Sequence, residues 1–141
     1  MVKALFVVLS LTLIAMCKTP MFNPSAYSGQ YFLIGQGGGV TGREKGTCIN
    51  DRGLIYTFEG LGDWQFTYQK KLPLDLFHQL ESNYKVLKLN ELQLQQPGNT
   101  YKFIEWSNGK QKQRLTWNEQ VELNTKSAKL FYDIFQTITS K

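Results

Sequence analysis

Between Tyr31 and Tyr68 hydrophobicity alternates with a two-residue period, broken at short intervals by turn chemistry, and this commits the chain to short antiparallel strands. Trp64, Phe66 and Tyr68 alternate with Gln65, Thr67 and Gln69, the cleanest half-buried strand. Leu54, Tyr56 and Phe58 alternate in the same way with Ile55, Thr57 and Glu59. Asn50-Asp51-Arg52-Gly53 and Gly60-Leu61-Gly62-Asp63 supply turn initiators and glycines able to take positive φ. Tyr31 to Ile34 reads as an apolar strand ending at Gly35. Val40 to Ile49 reads as a second, with Gly42 and Gly46 marking bulges or close backbone approach. Asn108-Gly109 is a hairpin signal joining Tyr101–Trp106 to Lys110–Trp117. In the latter strand Lys110, Lys112 and Arg114 share one face, and Leu115 and Trp117 the other.

The period changes twice. Pro73 suits a helix's first turn, Asp75 its positive end, and Leu76, Phe77, Leu80 and Tyr84 line one face. Leu87 to Leu94 reads either as a frayed helix tail or as an extended connector, and Gln96-Pro97-Gly98-Asn99 breaks it. Asn124 or Thr125 is expected to cap a second helix, buried through Ala128, Phe131, Ile134, Phe135 and Ile138. The expected order is four strands, helix, two strands, helix. That is an α+β, two-layer fold whose antiparallel sheet is covered on one face by the helices.

Upstream, Lys3 precedes a run from Ala4 to Ala15 that is apolar apart from Ser10 and Thr12 and closes at Cys17. A short apolar segment of this kind is a secretory signal and is too short to span a bilayer comfortably. Ile14-Ala15-Met16-Cys17 resembles the lipobox of bacterial lipoproteins, which implies acylation of Cys17 and a membrane contact through N-terminal lipid. Lys18 is not the aspartate that retains many lipoproteins at the inner membrane, so the resemblance implies an outer-membrane anchor facing the periplasm. An ordinary cut after Cys17, with Ala15 and Cys17 as the small residues, is the alternative and gives a secreted soluble protein. Residues 18–29, with Pro20 and Pro24, read as a flexible tether reaching at most ~40 Å, and residues 30–141 as a single domain.

Hydrophobic residues at 42% and aromatics at 13% suffice for a packed core. The net charge is +5, but no Lys/Arg run exceeds Lys70-Lys71, which argues against nucleic acid and suits anionic headgroups. Whichever peptidase acts, Cys48 is left without an intramolecular partner and is expected to be a buried, inert thiol.

Chemistry-bearing patterns are sparse. Gly37, Gly39 and Gly42 satisfy G-x-G-x-x-G, but Arg43-Glu44 replaces the P-loop Lys-Ser/Thr and a strand follows instead of a helix. The segment is therefore expected to be a tight hairpin that touches the protein's own helix or a partner's backbone. His78 is the chain's one histidine and falls off the apolar stripe of its helix, so a Cys48–His78 dyad is not expected. Asp51, Glu59, Asp63 and Asp75 suit turns and helix starts, and no G-x-S-x-G elbow occurs. No catalytic, cofactor or metal residues are assigned. The tryptophans and tyrosines of the strands read mainly as packing, and a ring left exposed beside Lys110, Lys112 and Arg114 would make an amphipathic contact patch.

The lipobox, the hairpin Gly37-Gly38-Gly39-Val40-Thr41-Gly42, Asn50-Asp51-Arg52-Gly53-Leu54-Ile55-Tyr56 and Pro97-Gly98-Asn99 together resemble a group of small, uncharacterised bacterial lipoproteins. The glycine hairpin and the strand–helix order are also similar to emfourin-type inhibitors of bacterial metalloproteases. That similarity implies a contact loop of Gly38, Gly39, Val40, Thr41, Gly42 and Arg43. The expectation is a non-enzymatic, lipid-anchored envelope protein that binds an envelope protein or a small ligand. A protease inhibitor using the glycine hairpin and an envelope hydrolase with dispersed carboxylates are the alternatives.

Overall fold

The computed structural model describes residues 18–122 and 124–141, so the lipobox and Cys17 lie outside the described residues. Four strands come first: β1 (Tyr31–Gly38), β2 (Glu44–Asn50), β3 (Leu54–Gly60) and β4 (Gln65–Lys71). Helix α1 (Leu74–Val86), a 3₁₀ turn (Leu89–Glu91), β5 (Gln95–Gln96), β6 (Thr100–Ser107), β7 (Lys112–Trp117) and α2 (Lys126–Thr139) follow. The strands form one sheet in the order β4-β3-β2-β1-β6-β7-β5, antiparallel except for β5 against β7.

The class is α+β, but the expected order of four strands, helix, two strands, helix is not matched. Gln95 and Gln96 add a strand before β6, and both strand blocks fuse into a single seven-stranded sheet through β1 and β6. The cause lies in β1. Tyr31, Phe32, Leu33 and Ile34 are all buried, so both faces of this strand are apolar and it takes the sheet's interior.

The parity of the pleat sorts the residues onto two faces. Phe32, Ile34, Ile49, Ile55, Ile104, Leu115 and Trp117 pack with Phe77, Leu80 and Tyr84 of α1 and with Phe131, Phe135 and Ile138 of α2. Among the described residues, the other face carries no helix. Tyr31, Leu33, Cys48, Tyr56, Phe58 and Phe103 form a second cluster there, with Trp64, Phe66, Tyr68 and Tyr101 half-buried around it.

Part of this second face is covered by the segment expected to be a tether. Phe22 is buried, stacked on Tyr56 at 5.1 Å and edge-on to Phe66 at 5.1 Å. The Tyr27 hydroxyl donates to Asp51, and the Gln30 N–H donates to the same carboxylate at 2.9 Å. A flexible segment over 18–29 is thereby corrected. Two aromatic rings provide enough apolar area to hold it down, and the proline-rich composition hid them.

Three local expectations also change. The first strand runs on through Gly37 and Gly38, and Val40 lies in the turn before β2, because consecutive glycines can still pair in a ladder. Leu87 to Leu94 is neither a helix tail nor a simple connector. Lys88 takes φ of 54°, and the chain re-enters a 3₁₀ turn. Thr125 stands at the N-cap of α2, but its hydroxyl donates back to the Val121 carbonyl at 3.0 Å and makes no cap to the helix N–H groups.

Candidate functional site at the hairpin end of the open face

The β1–β2 hairpin is stiffened from within. Gly38, Gly39 and Gly42 take φ of 94°, 72° and 63°, a region closed to most side chains. A Cβ on Gly38 would be driven into the Asn99 carbonyl, and the Gly39 N–H donates to that same carbonyl at 2.6 Å. The glycines therefore admit the protein's own chain just before β6; its helices are not what they approach. Val40, at the apex, is fully exposed at 107%, and Leu61 of the neighbouring β3–β4 turn, 69% exposed, lies against Gly42. Arg43 and Glu59 form an ion pair at 3.3 Å beside them, both more than half exposed. A groove of about 430 Å³ opens here between Gly37, Gly38, Thr41, Arg43, Glu44 and Tyr101.

Beneath the loop, the register of the sheet stacks charges across the open face. Glu44, the first residue of β2, accepts from the Trp64 indole N–H at 3.1 Å, from the Tyr101 hydroxyl at 2.8 Å and from the Arg114 guanidinium. Arg114 lies over the Phe103 ring, 3.9 Å from its centroid, and Trp64 stacks on Phe103 at 6.1 Å with 12° between planes. The pairing Glu105↔Arg114 between β6 and β7 brings a second carboxylate to the other side of the guanidinium, at 3.7 Å. Glu105, whose side chain is 2% exposed, also accepts from the Tyr31 hydroxyl at 2.9 Å and pairs with Lys112 at 2.9 Å. Burial, and next the negative charge of Glu105, push the Tyr31 hydroxyl well above its ordinary range. Burial and the bond to Glu44 raise Tyr101 in the same direction.

This chain of two carboxylates, two cations and three aromatic donors was not found by motif. Its signal is parity: Glu105 sits in phase with Tyr101 and Phe103 on a strand whose other phase holds Ile104 and Trp106, so a carboxylate must enter an aromatic face. Lys112 and Arg114 were expected to share a face and do so, opposite Leu115 and Trp117.

The other candidates do not converge. Cys48 is fully buried, and burial followed by the Glu105 charge pushes its thiol well above the ordinary range, which is the opposite of what activates a nucleophile. His78 is exposed on α1, 3.8 Å from Glu81, while Cys48 faces the opposite side of the sheet. Asp51 holds the N-terminal segment, Glu59 holds Arg43, Asp63 lies in a turn and Asp75 begins α1. Trp106 and Trp117 belong to the helix-covered face, whereas Trp64 borders the charge network. Among the described residues, no group of three or more His, Cys, Asp or Glu could hold a metal ion. No helix there is long and apolar enough to cross a membrane.

No protein-family model matches the chain, and no curated protein matches it either.

Proposed function

We propose that this chain is a non-enzymatic, lipid-anchored envelope protein that holds a macromolecular partner against the hairpin end of its sheet. One observation carries the reading: two large apolar side chains, Val40 and Leu61, stand exposed at the same end of a well-packed domain, on turns braced from below. Exposed apolar groups rimmed by charge mark interaction surfaces, and a stiff loop loses little entropy on binding. The Arg43–Glu59 pair supplies the rim, and Glu44, tied to Trp64, Tyr101 and Arg114, supplies the brace. Both open-face carboxylates are already engaged by donors of the chain itself, which favours binding over envelope hydrolysis.

Lipid anchoring rests on Ile14-Ala15-Met16-Cys17, and Lys18 favours the outer membrane. Mass spectrometry of the mature N-terminus tests it, with acyl mass expected on Cys17; in Cys17→Ser the protein leaves the membrane fraction. For the surface, a photo-crosslinking residue in place of Val40 should give a discrete adduct in envelope preparations. Leu61→Asp should abolish that adduct, and the same probe at the exposed Lys126 should not form it. Equal adducts at both positions would sink the reading.

A protruding loop with an aliphatic side chain at its apex also favours a second reading, a protease inhibitor that fills a specificity pocket with Val40. Inhibition of secreted bacterial metalloproteases that is lost in Val40→Asp supports it, and complete lack of inhibition removes it.

A further inference from the structure

We propose that the groove between α1, the 3₁₀ turn and the β6–β7 hairpin binds a neutral polyhydroxylated ligand, an oligosaccharide, stacked on Trp106. The groove has a volume of about 1040 Å³, enough for several sugar rings. It lies on the helix-covered side near Asn108, at the opposite end of β1 from Val40. The eight residues of β1 separate the two ends by roughly 25 Å.

Three features select the ligand class. Seven of the sixteen lining residues are Asn or Gln, against 20 of 141 in the chain, so carboxamides are concentrated about threefold. A carboxamide offers a donor and an acceptor side by side, the pairing that adjacent hydroxyls need. Asn90, Gln93 and Gln111 are all exposed, with their amides left to the groove. Gln113 instead fixes the wall, donating to the carbonyls of Leu89 and Leu92 at 2.9 Å and accepting from Tyr84.

The second feature is the floor. Tyr84 stacks on Trp106 at 5.6 Å with 22° between planes, so Tyr84 backs one face of the indole and the groove meets what remains. The Trp106 N–H is buried with no acceptor among the described residues, a cost that phenylalanine would avoid. What tryptophan adds in return is flat apolar area, the surface on which the C–H face of a pyranose packs.

The third is charge. Most charges bordering the groove are already paired: Glu81 with Lys85 at 3.0 Å, Lys112 with Glu105 at 2.9 Å, and Arg114 with Glu44. Little net field is left to select an ion, and a neutral ligand fits.

The test uses the purified mature chain, intrinsic tryptophan fluorescence and isothermal titration with chitotetraose, cellotetraose and maltotetraose. Saturable binding of at least one oligosaccharide is expected, about tenfold weaker in Trp106→Ala, as the loss of one aromatic stacking contact predicts. Trp106→Phe should weaken binding about threefold while keeping or raising the urea midpoint, which separates loss of the site from loss of the fold. Val40→Asp should bind sugar as the wild type does, so failure here and failure at the hairpin end are read independently. No saturable binding by 10 mM, roughly a 3 kcal/mol interaction, overturns the proposal. So does binding unaffected by both Trp106 variants, or binding of a charged peptide with none of the sugars.

Discussion

Glu105 is where the charge network can be broken with a calculable consequence. Glu105→Gln keeps the side chain's shape and an oxygen for the Tyr31 hydroxyl but deletes the charge that faces Arg114 and Lys112. Lys112 is more than half exposed, so its share is worth well under about 1 kcal/mol. The buried bond from Tyr31 and the Arg114 contact lose their charge assistance, and about 2 kcal/mol of stability should go with them. With a urea slope of about 1.5 kcal/mol per molar, the midpoint falls by about 1.3 M. Glu105→Leu goes further and strands the Tyr31 hydroxyl in a residue 1% exposed, adding about 1–3 kcal/mol. Tyr31→Phe in that background removes the stranded group and should recover about 1–2 kcal/mol, although it destabilises the wild type. Urea denaturation of the four proteins followed by tryptophan emission reads the cycle. If Tyr31→Phe makes Glu105→Leu less stable, the hydroxyl is satisfied elsewhere and the argument for a coupled network fails.

Two identical replacements on the glycine hairpin should differ sharply. Gly39→Ala meets none of the described residues within 4 Å and suffers about 1 kcal/mol from its positive φ, whereas Gly38→Ala also collides with the Asn99 carbonyl and should cost at least about 3 kcal/mol; equal urea midpoints would refute the wedge. Phe22→Ala should cost about 3 kcal/mol and open the peptide bonds near Tyr27 to limited proteolysis, and an unchanged cleavage pattern would mean that the segment is not docked. Burial holds Cys48 and the hydroxyls of Tyr31 and Tyr84 neutral, and pushes Tyr132 up to about 12, above free-chain values of 9.0 and 10.0. Because these folded-state values are raised, their stabilisation is complete below pH 9 and is lost as pH climbs through 10 towards 12; urea midpoints level from pH 7 to 9 and falling beyond are expected, with tyrosinate absorbance appearing alongside unfolding.

Secondary structure was legible where a local rule decides it. Alternation set β3 and β4, Asn108-Gly109 set the β6–β7 hairpin, and the 76/77/80/84 stripe set α1. What the sequence could not show is which edges meet. Nothing local in Thr100–Ser107 says that it pairs with β1, a contact some seventy residues away in the chain, so two sheets and one sheet read alike. The hairpin loop was legible as well, because glycines advertise positive φ. The network behind it was not, since Glu44, Glu105 and Arg114 lie on three strands and meet only through pairing register. Phe22 and Tyr27 were concealed for a different reason: two isolated aromatics on either side of Pro24 carry no period, and only the uncovered aromatic face opposite the helices explains their burial.

That burial alters the geometry of the proposed anchor. With Phe22 seated among Tyr31, Tyr56 and Phe66, only residues 18–21 lie between Cys17 and the packed body, and five steps of extended chain span at most ~18 Å, less than half the reach of a free twelve-residue tether. An acylated Cys17 would therefore hold the open face close to the bilayer, near the Tyr31 end of β1, while the strand carries Gly38 and Val40 roughly 25 Å further along. The hairpin end then becomes the part of the domain presented away from the lipid. A fluorescence-transfer measurement from lipid-headgroup acceptors to donors at residue 40 or residue 108 distinguishes this from free tumbling: residue 108 should lie closer to the membrane in the wild type, and Phe22→Ala should erase the difference. Equal transfer from both positions in the wild type would show that Phe22 sets no orientation.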